Sequence, residues 1–433
     1  ACARLEGASL DDAMRLSRDL LDRDLGGLGP ARRHGVEIVE DAVARALESW
    51  HSRRLGDMGV PQRGDRVAVA MSGGVDSAVA AMLLRDAGYD VVGVTMRLWH
   101  DPSAAAAERS CCSPETMRMA RETSHALGIP HVAIDAADAF RQGVVDGFIE
   151  GYAKGLTPNP CVVCNGSVRF RLLAQAAALV GARGLATGHY ARVVRTGGTA
   201  TIAAARDAAK DQSYMLAMLP PAVVARLQFP LGDLTKTEVR ERARRASLVA
   251  AEAVESQEVC FVGQGGYVPF LERNAGLADR PGDIVDADGV PVGRHHGYWR
   301  FTVGQRKGIG VAGPEPLYVL GTDAAANRVT VGPRTALASR RVELVDVVCH
   351  APLDPGHAFE LRVRYRGRPL AGRSLTPTDD ASAVIELVSA AVVAGGIGPD
   401  TVRDWMDTHD PSLLRRVPAD GELVHLGLRH NLG

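Results

Sequence analysis

From residue 66 onward, short apolar runs alternate with stretches of helical periodicity. Residues 66–71 read as a β-rich run, followed by an Ala- and Leu-rich helix to Arg85, with Gly88 as a natural C-cap. A second strand is expected over 89–98, then a helix over 114–127 and a strand over 131–135. A helix over 139–153, a loop over 155–167, a helix over 168–181 and a strand ending near Thr187 complete the series. Buried strands alternating with helices predict an α/β domain with a parallel sheet and right-handed crossovers.

The flanks have other textures. Residues 12–24 and 36–50 read as amphipathic helices, broken by Gly26-Gly27-Leu28-Gly29-Pro30, and suit a docking or capping segment. Residues 216–280 read mostly as helix and loop, with Arg240, Arg242, Arg244 and Arg245 on one segment. After Pro281-Gly282-Asp283, short strands are expected over 283–294, 298–303, 317–322, 328–331, 342–348 and 359–365, which predicts a small barrel. Helix-like patterning returns over 382–393 and 399–409. The expected division is an N-terminal extension (1–62), a nucleotide-binding sheet domain (63–215), a small, mostly helical central domain (216–280), a β-barrel-like domain (281–375) and an atypical C-terminal segment (376–433).

Composition narrows the function classes. A formal charge of −1 excludes a globally basic nucleic-acid coat but leaves room for a local basic groove. The longest apolar runs are strand-sized, far short of a spanning helix, so no membrane role is expected. Seven cysteines without a regular framework or a signal peptide indicate a reducing, cytoplasmic setting, where thiols serve catalysis or metals.

The strand–loop–helix unit Ala70-Met71-Ser72-Gly73-Gly74-Val75-Asp76-Ser77 carries the strongest local chemistry. Two glycines let backbone wrap an anion, and the serines and the helix start can hold a phosphate. No Lys-Ser/Thr pair follows, so this is not the Walker loop. Asp76 would repel an anion unless it caps the helix or helps coordinate a metal. The loop resembles that of the ATP-pyrophosphatase (PP-loop) superfamily.

Cys161 and Cys164 stand three apart in Thr157-Pro158-Asn159-Pro160-Cys161-Val162-Val163-Cys164-Asn165, and Cys260 follows Glu258-Val259. A thiol near a helix start shifts towards thiolate. Separate cysteines, one carrying sulfur and one resolving a disulfide, suit sulfur transfer better than hydrolysis. The competing chemistry is an iron–sulfur (Fe–S) cluster on Cys161, Cys164 and Cys260. Cys349 reads as a small core residue in a strand, and His295-His296 as a polar loop.

Taken together, these segments resemble the tRNA-specific 2-thiouridylases. ATGHYAR at 186–192, KDQSYML at 210–216, FPLGDLTKTEV at 229–239 and TVGQRKG at 302–308 extend the match in family order. The resemblance implies ATP at residues 70–77, with Met96 and Gly188 near the nucleotide, and Mg²⁺ offsetting phosphate charge. It implies a nucleophilic Cys164 and a persulfide on Cys260, with a Cys164–Cys260 disulfide formed in turnover. Asn159, Pro160 and Cys161 would line the target base, and His189, Lys210, Asp211, Gln212, Arg364 and Tyr365 would contact tRNA. A desulfurase or relay protein would donate the sulfur. A PP-loop sulfurtransferase acting on a small molecule is the other reading. The chain departs from the family at Gly166, where a bulky residue is common and glycine would loosen the turn. It also lacks the family's Pro-Gly-Gln stretch after Arg373.

Overall fold

A computed structural model describes residues 2–28, 30–56, 61–101, 113–252, 259–262, 265–344, 346–350, 359–363, 369–379 and 382–392. The chain divides into two compact units. The first comprises residues 1–141, 167–212 and 222–264; the second comprises 142–166, 213–221 and 265–433.

The first unit is built on a five-stranded sheet ordered β3-β2-β1-β4-β7, with β1 Arg63–Ala70, β2 Asp90–Arg97, β3 His131–Asp135, β4 Ala182–Thr187 and β7 Leu227–Gln228. Every pairing is parallel. The central strand is buried on both faces: Val67, Ala68 and Val69 are at most 2% exposed. That burial explains its unbroken apolar run. Strand order reverses between β1 and β4, so the loops at their C-terminal ends open onto the crevice where such sheets bind ligands. A hairpin of β5 (Ala191–Thr196) and β6 (Thr199–Ala204), absent from the sequence reading, turns at Gly197-Gly198, both at positive φ.

The N-terminal segment docks on this unit. The helix Pro30–Arg53 lies against the edge strand β3, where Ser52 Oγ accepts the Asp135 N–H at 2.8 Å. Arg97 Nε donates to Glu48 at 2.8 Å. Arg66, 2% exposed, donates to Asp90 at 2.6 Å and to the Val180 carbonyl at 3.0 Å, and also pairs with Asp11. Covering an edge strand removes a template for unwanted pairing.

The second unit holds two four-stranded sheets, ordered β10-β11-β8-β9 and β12-β15-β14-β13. The first comprises β8 Gly282–Val285, β9 Pro291–His295, β10 Tyr318–Asp323 and β11 Arg328–Gly332. The second comprises β12 Ala338–Leu344, β13 Phe359–Leu361, β14 Leu370–Asp379 and β15 Ser382–Val392.

Four local expectations are corrected. The helix expected over 382–393 is instead β15: Ala383, Ile385 and Leu387 are buried while Glu386 and Val388 face out, a period of two that outweighs the alanine content. The strand expected over 298–303 is a 3₁₀ turn at Tyr298–Arg300, because the Trp299 ring folds back over Gly297, 2.5 Å from where a Cβ would sit. The loop expected over 155–167 becomes helical at Pro160, with helix Pro160–Val163 running through a π-helical stretch Cys164–Arg169 into helix Phe170–Leu179. Cys349 is exposed and lies outside any strand. Arg364, Tyr365, the Cys111-Cys112 pair and residues 393–433 fall outside the described residues.

Candidate functional site

The loop after β1 is shaped by close approaches. Gly73 has φ +74, and a Cβ there would lie 2.4 Å from the Thr116 carbonyl oxygen, in the first turn of helix Pro114–Ala126. Only glycine satisfies both conditions. Gly74 is the N-cap of helix Val75–Asp86 and, as glycine, has no side chain to cap that terminus. The first-turn N–H groups therefore lack the usual side-chain partner, the arrangement that suits an anion. Ser77, 3% exposed, donates to the Gly74 carbonyl at 3.0 Å and accepts the Ser72 N–H at 3.2 Å, closing the loop on itself. Ser72 is exposed.

Below the loop, Thr95 Oγ1 donates to the Met71 carbonyl at 2.9 Å. That leaves Thr95 to accept from His131 Nε2 at 2.8 Å. Burial holds His131 well below its ordinary pKa, so the ring is neutral. Met96, half-buried, follows Thr95 on β2. Gly188 sits where β4 ends; a Cβ there would lie 2.7 Å from both the Asp76 carbonyl carbon and the Ser77 nitrogen.

Asp76 is neutralised within the protein. Lys236 Nζ lies 2.8 Å from each of its carboxylate oxygens, and Tyr190 Oη donates to Oδ1 at 2.9 Å. Neither Lys236 nor Tyr190 was singled out from sequence, although both lie in segments that carry the family resemblance. Asp76 keeps about a third of its side chain exposed (32%), so a phosphate-bound Mg²⁺ would find one carboxylate here, in keeping with the few protein ligands that ion takes.

His189 is held by Thr187, whose Oγ1 accepts the His189 N–H at 3.3 Å and lies 2.7 Å from Nδ1. Burial, and secondarily Arg169, pushes its pKa down to about 3. A neutral ring flanked by Phe170 and Phe229 (centroids 5.8 and 6.3 Å away) presents a hydrogen-bonding edge rather than a cation. Asp211 is buried and accepts the Ala205 N–H at 2.9 Å; Gln212 exchanges two hydrogen bonds with the Tyr190 backbone. Lys210 is half-buried. Cys260, also half-buried, precedes Phe261, which packs edge-on against Phe140. All these residues belong to the first unit.

Asn159, Pro160, Cys161 and Cys164 belong to the second unit. Asn159 Oδ1 accepts the N–H groups of Cys161 (3.2 Å) and Val162 (3.3 Å), and Pro160 takes the first helical position, where its missing N–H costs nothing. Cys164 is 5% exposed. Asn165 Nδ2 donates to the Met215 carbonyl at 3.0 Å, while its buried Oδ1 has no hydrogen-bond partner among the described residues. Gly166 does not loosen the turn as expected: a Cβ there would lie 2.6 Å from Met218 Cβ, so glycine allows the two segments to touch. The structure records no disulfide among the described residues.

A parallel sheet with an uncapped glycine loop at its switch point defines an α/β protein of the PP-loop, nucleotide-binding class. Family models agree: one described as "tRNA methyl transferase HUP domain" matches residues 65–264, and one described as "tRNA methyl transferase PRC-barrel domain" matches residues 269–333. The tRNA-specific 2-thiouridylase MnmA of Sorangium cellulosum is 49% identical over 313 residues, covering 72% of this chain and 81% of the relative. That of Methylorubrum extorquens is 43% identical over 348 residues (79% and 90%). The bifunctional protein NifU/MnmA of Rubrobacter xylanophilus is 44% identical over 375 residues (84% and 74%). The chain belongs to the tRNA-specific 2-thiouridylase MnmA family. Among the described residues, no helix is long and apolar enough to cross a membrane.

Proposed function

We propose that this protein replaces the C2 oxygen of the wobble uridine of tRNA with sulfur, at the expense of ATP. The observation that carries the reading is the uncapped helix start at Gly74, set at the sheet's switch point beside an internally neutralised Asp76. It suits a triphosphate, and phosphoryl chemistry is mostly a matter of positioning and charge. The family models are described by methyl transfer, the relatives by thiolation; a PP-loop and two thiols in the motif positions favour thiolation.

In the reaction, the uridine O2 attacks the α-phosphate of ATP, forming an adenylated uridine and releasing pyrophosphate. Mg²⁺ bound with ATP supplies charge neutralisation, and Asp76 is the carboxylate that would hold it. Cys260 carries the incoming sulfur as a persulfide, taken from a desulfurase or relay protein. The terminal sulfur reaches C2, either directly or as hydrosulfide, and AMP leaves with the original oxygen. Cys164 attacks the inner sulfur of Cys260, and the resulting disulfide is reduced by an external dithiol. Asn159, Pro160 and Cys161 line the base, and His189, Lys210, Asp211, Gln212, Arg364 and Tyr365 serve tRNA.

Mass spectrometry of nucleosides from cells lacking the gene tests the reading. Loss of 2-thiouridine, restored by the wild-type chain, is expected; an undiminished level overturns the proposal.

A further inference from the structure

The loop 205–212 grips the backbones of both residues whose side chains hold Asp76. At one end, Gln212 and Tyr190 are locked reciprocally: the Gln212 N–H donates to the Tyr190 carbonyl at 2.8 Å, and the Tyr190 N–H donates to Gln212 Oε1 at 2.9 Å. Nearer the other end, Asp207 Oδ2 accepts the Lys236 N–H at 2.9 Å, at the first residue of helix Lys236–Arg245. The loop between is stiff. Asp207 Oδ1 accepts the Ala209 N–H at 3.1 Å, its carbonyl accepts the Lys210 N–H at 3.0 Å, and Asp211 Oδ1 accepts the Ala205 N–H at 2.9 Å. Arg206 ties the same loop to its surroundings through Gly232 and Asp233.

Tyr190 and Lys236 then converge on one carboxylate, in the first turn of the helix that closes the nucleotide loop. Tyr190 is 2% exposed and the Lys236 side chain 11%, so neither has much freedom to relax independently of the loop that holds its backbone. A displacement of 205–212 by a ligand at Lys210 or Gln212 therefore reaches Asp76 along two short routes at once. One route ends in the buried Tyr190 ring and the other in the largely buried Lys236 side chain, each tied to Asp76 by hydrogen bonds.

We propose that the loop 205–212 couples tRNA occupancy to the nucleotide loop, with Asp207 and Tyr190 as the positioning residues. The inference rests on the proposed tRNA contact of Lys210–Gln212 and adds a consequence: tRNA and ATP bind with reciprocal cooperativity. ATP is then committed to adenylation only when a uridine is on hand to receive it.

The test is calorimetric titration of ATP into the full chain, with and without saturating unmodified tRNA. It compares wild type with Tyr190→Phe, which removes a single hydroxyl, and Asp207→Ala. Filter binding reports tRNA affinity, and thermal melting confirms folding. Wild type is expected to bind ATP at least fivefold more tightly with tRNA present. In both variants that enhancement falls below twofold, while tRNA affinity without ATP stays within threefold of wild type. Wild-type enhancement retained in Tyr190→Phe, or no enhancement in wild type, overturns the coupling. A wild-type chain that binds ATP but no tRNA instead overturns the functional reading on which the coupling rests.

Discussion

Gly188 and Asp76 meet backbone to backbone: a Cβ on residue 188 would stand 2.7 Å from the Asp76 carbonyl carbon and 3.0 Å from its oxygen. Gly188 follows β4 and Asp76 lies in the first turn of the helix after β1, so the contact sets how closely the two loops approach. Gly188→Ala is expected to push the loop away from β4, raising KM for ATP about tenfold. The overpacking cost should be about 1–3 kcal/mol in stability. Steady-state kinetics and a melting curve check both; an unchanged KM would show that the crevice does not hold the nucleotide.

The cysteines separate by role. Cys164→Ser and Cys260→Ser should each abolish 2-thiouridine formation in vitro, whereas Cys349→Ser, altering an exposed residue outside any strand, should leave it intact. Nucleoside mass spectrometry after incubation with ATP, tRNA and a persulfide donor reads the outcome. Full activity in either of the first two variants contradicts the two-thiol mechanism.

Gly166→Ala should destabilise the protein by about 1–3 kcal/mol, since its Cβ would collide with Met218 Cβ at 2.6 Å. Met218→Ala keeps that Cβ, so the double variant should gain nothing back. Denaturant midpoints for the three variants decide it, and rescue by Met218→Ala would place the clash further out along the methionine.

The histidines make stability depend on acid. His189, with a folded pKa of about 3, stays neutral when the unfolded chain takes up a proton near 6.5, and His131 shifts in the same direction. The unfolded state thus binds more protons, and stability is full above pH 6.5 and falls as pH drops from there towards 3. Melting temperatures from pH 7.5 to 5 should decline, with a shallower slope in His189→Gln. An unaltered slope in that variant would mean that His189 titrates normally.

Arg66 anchors the N-terminal segment from a buried position between Asp11 and Asp90. Arg66→Ala leaves Asp11 and Asp90 with the exposed Arg63 as cationic partner and takes the donor from the Val180 carbonyl, and should cost about 1–3 kcal/mol. Asp11→Ala leaves Asp90 and the Val180 carbonyl in place and should cost less. Urea unfolding orders the two; equal losses would argue that the segment is held elsewhere.

The alternation of apolar runs with helical patterns was enough to reach the parallel sheet, and the segment SGGVDS was enough to mark the glycine loop after β1, because both are local signals. Spacing and neighbours were enough to single out Cys161, Cys164 and Cys260 as candidates. The supports were not legible in the sequence. Thr95 and His131 under Met71, and Lys236 160 residues from Asp76, meet only through the fold.

Residue type and order alone therefore determined the sheet class, the glycine loop after β1 and which cysteines are chemical candidates. Tertiary structure decided that the carboxylate in that loop is neutralised, that His189 is uncharged, that Gly166 is a contact, and that 382–392 is a strand. Each of these depends on what lies across a few ångströms of space. Burial, close approach and charge pairing are properties of neighbours, and the neighbours are set by the fold rather than by position along the chain.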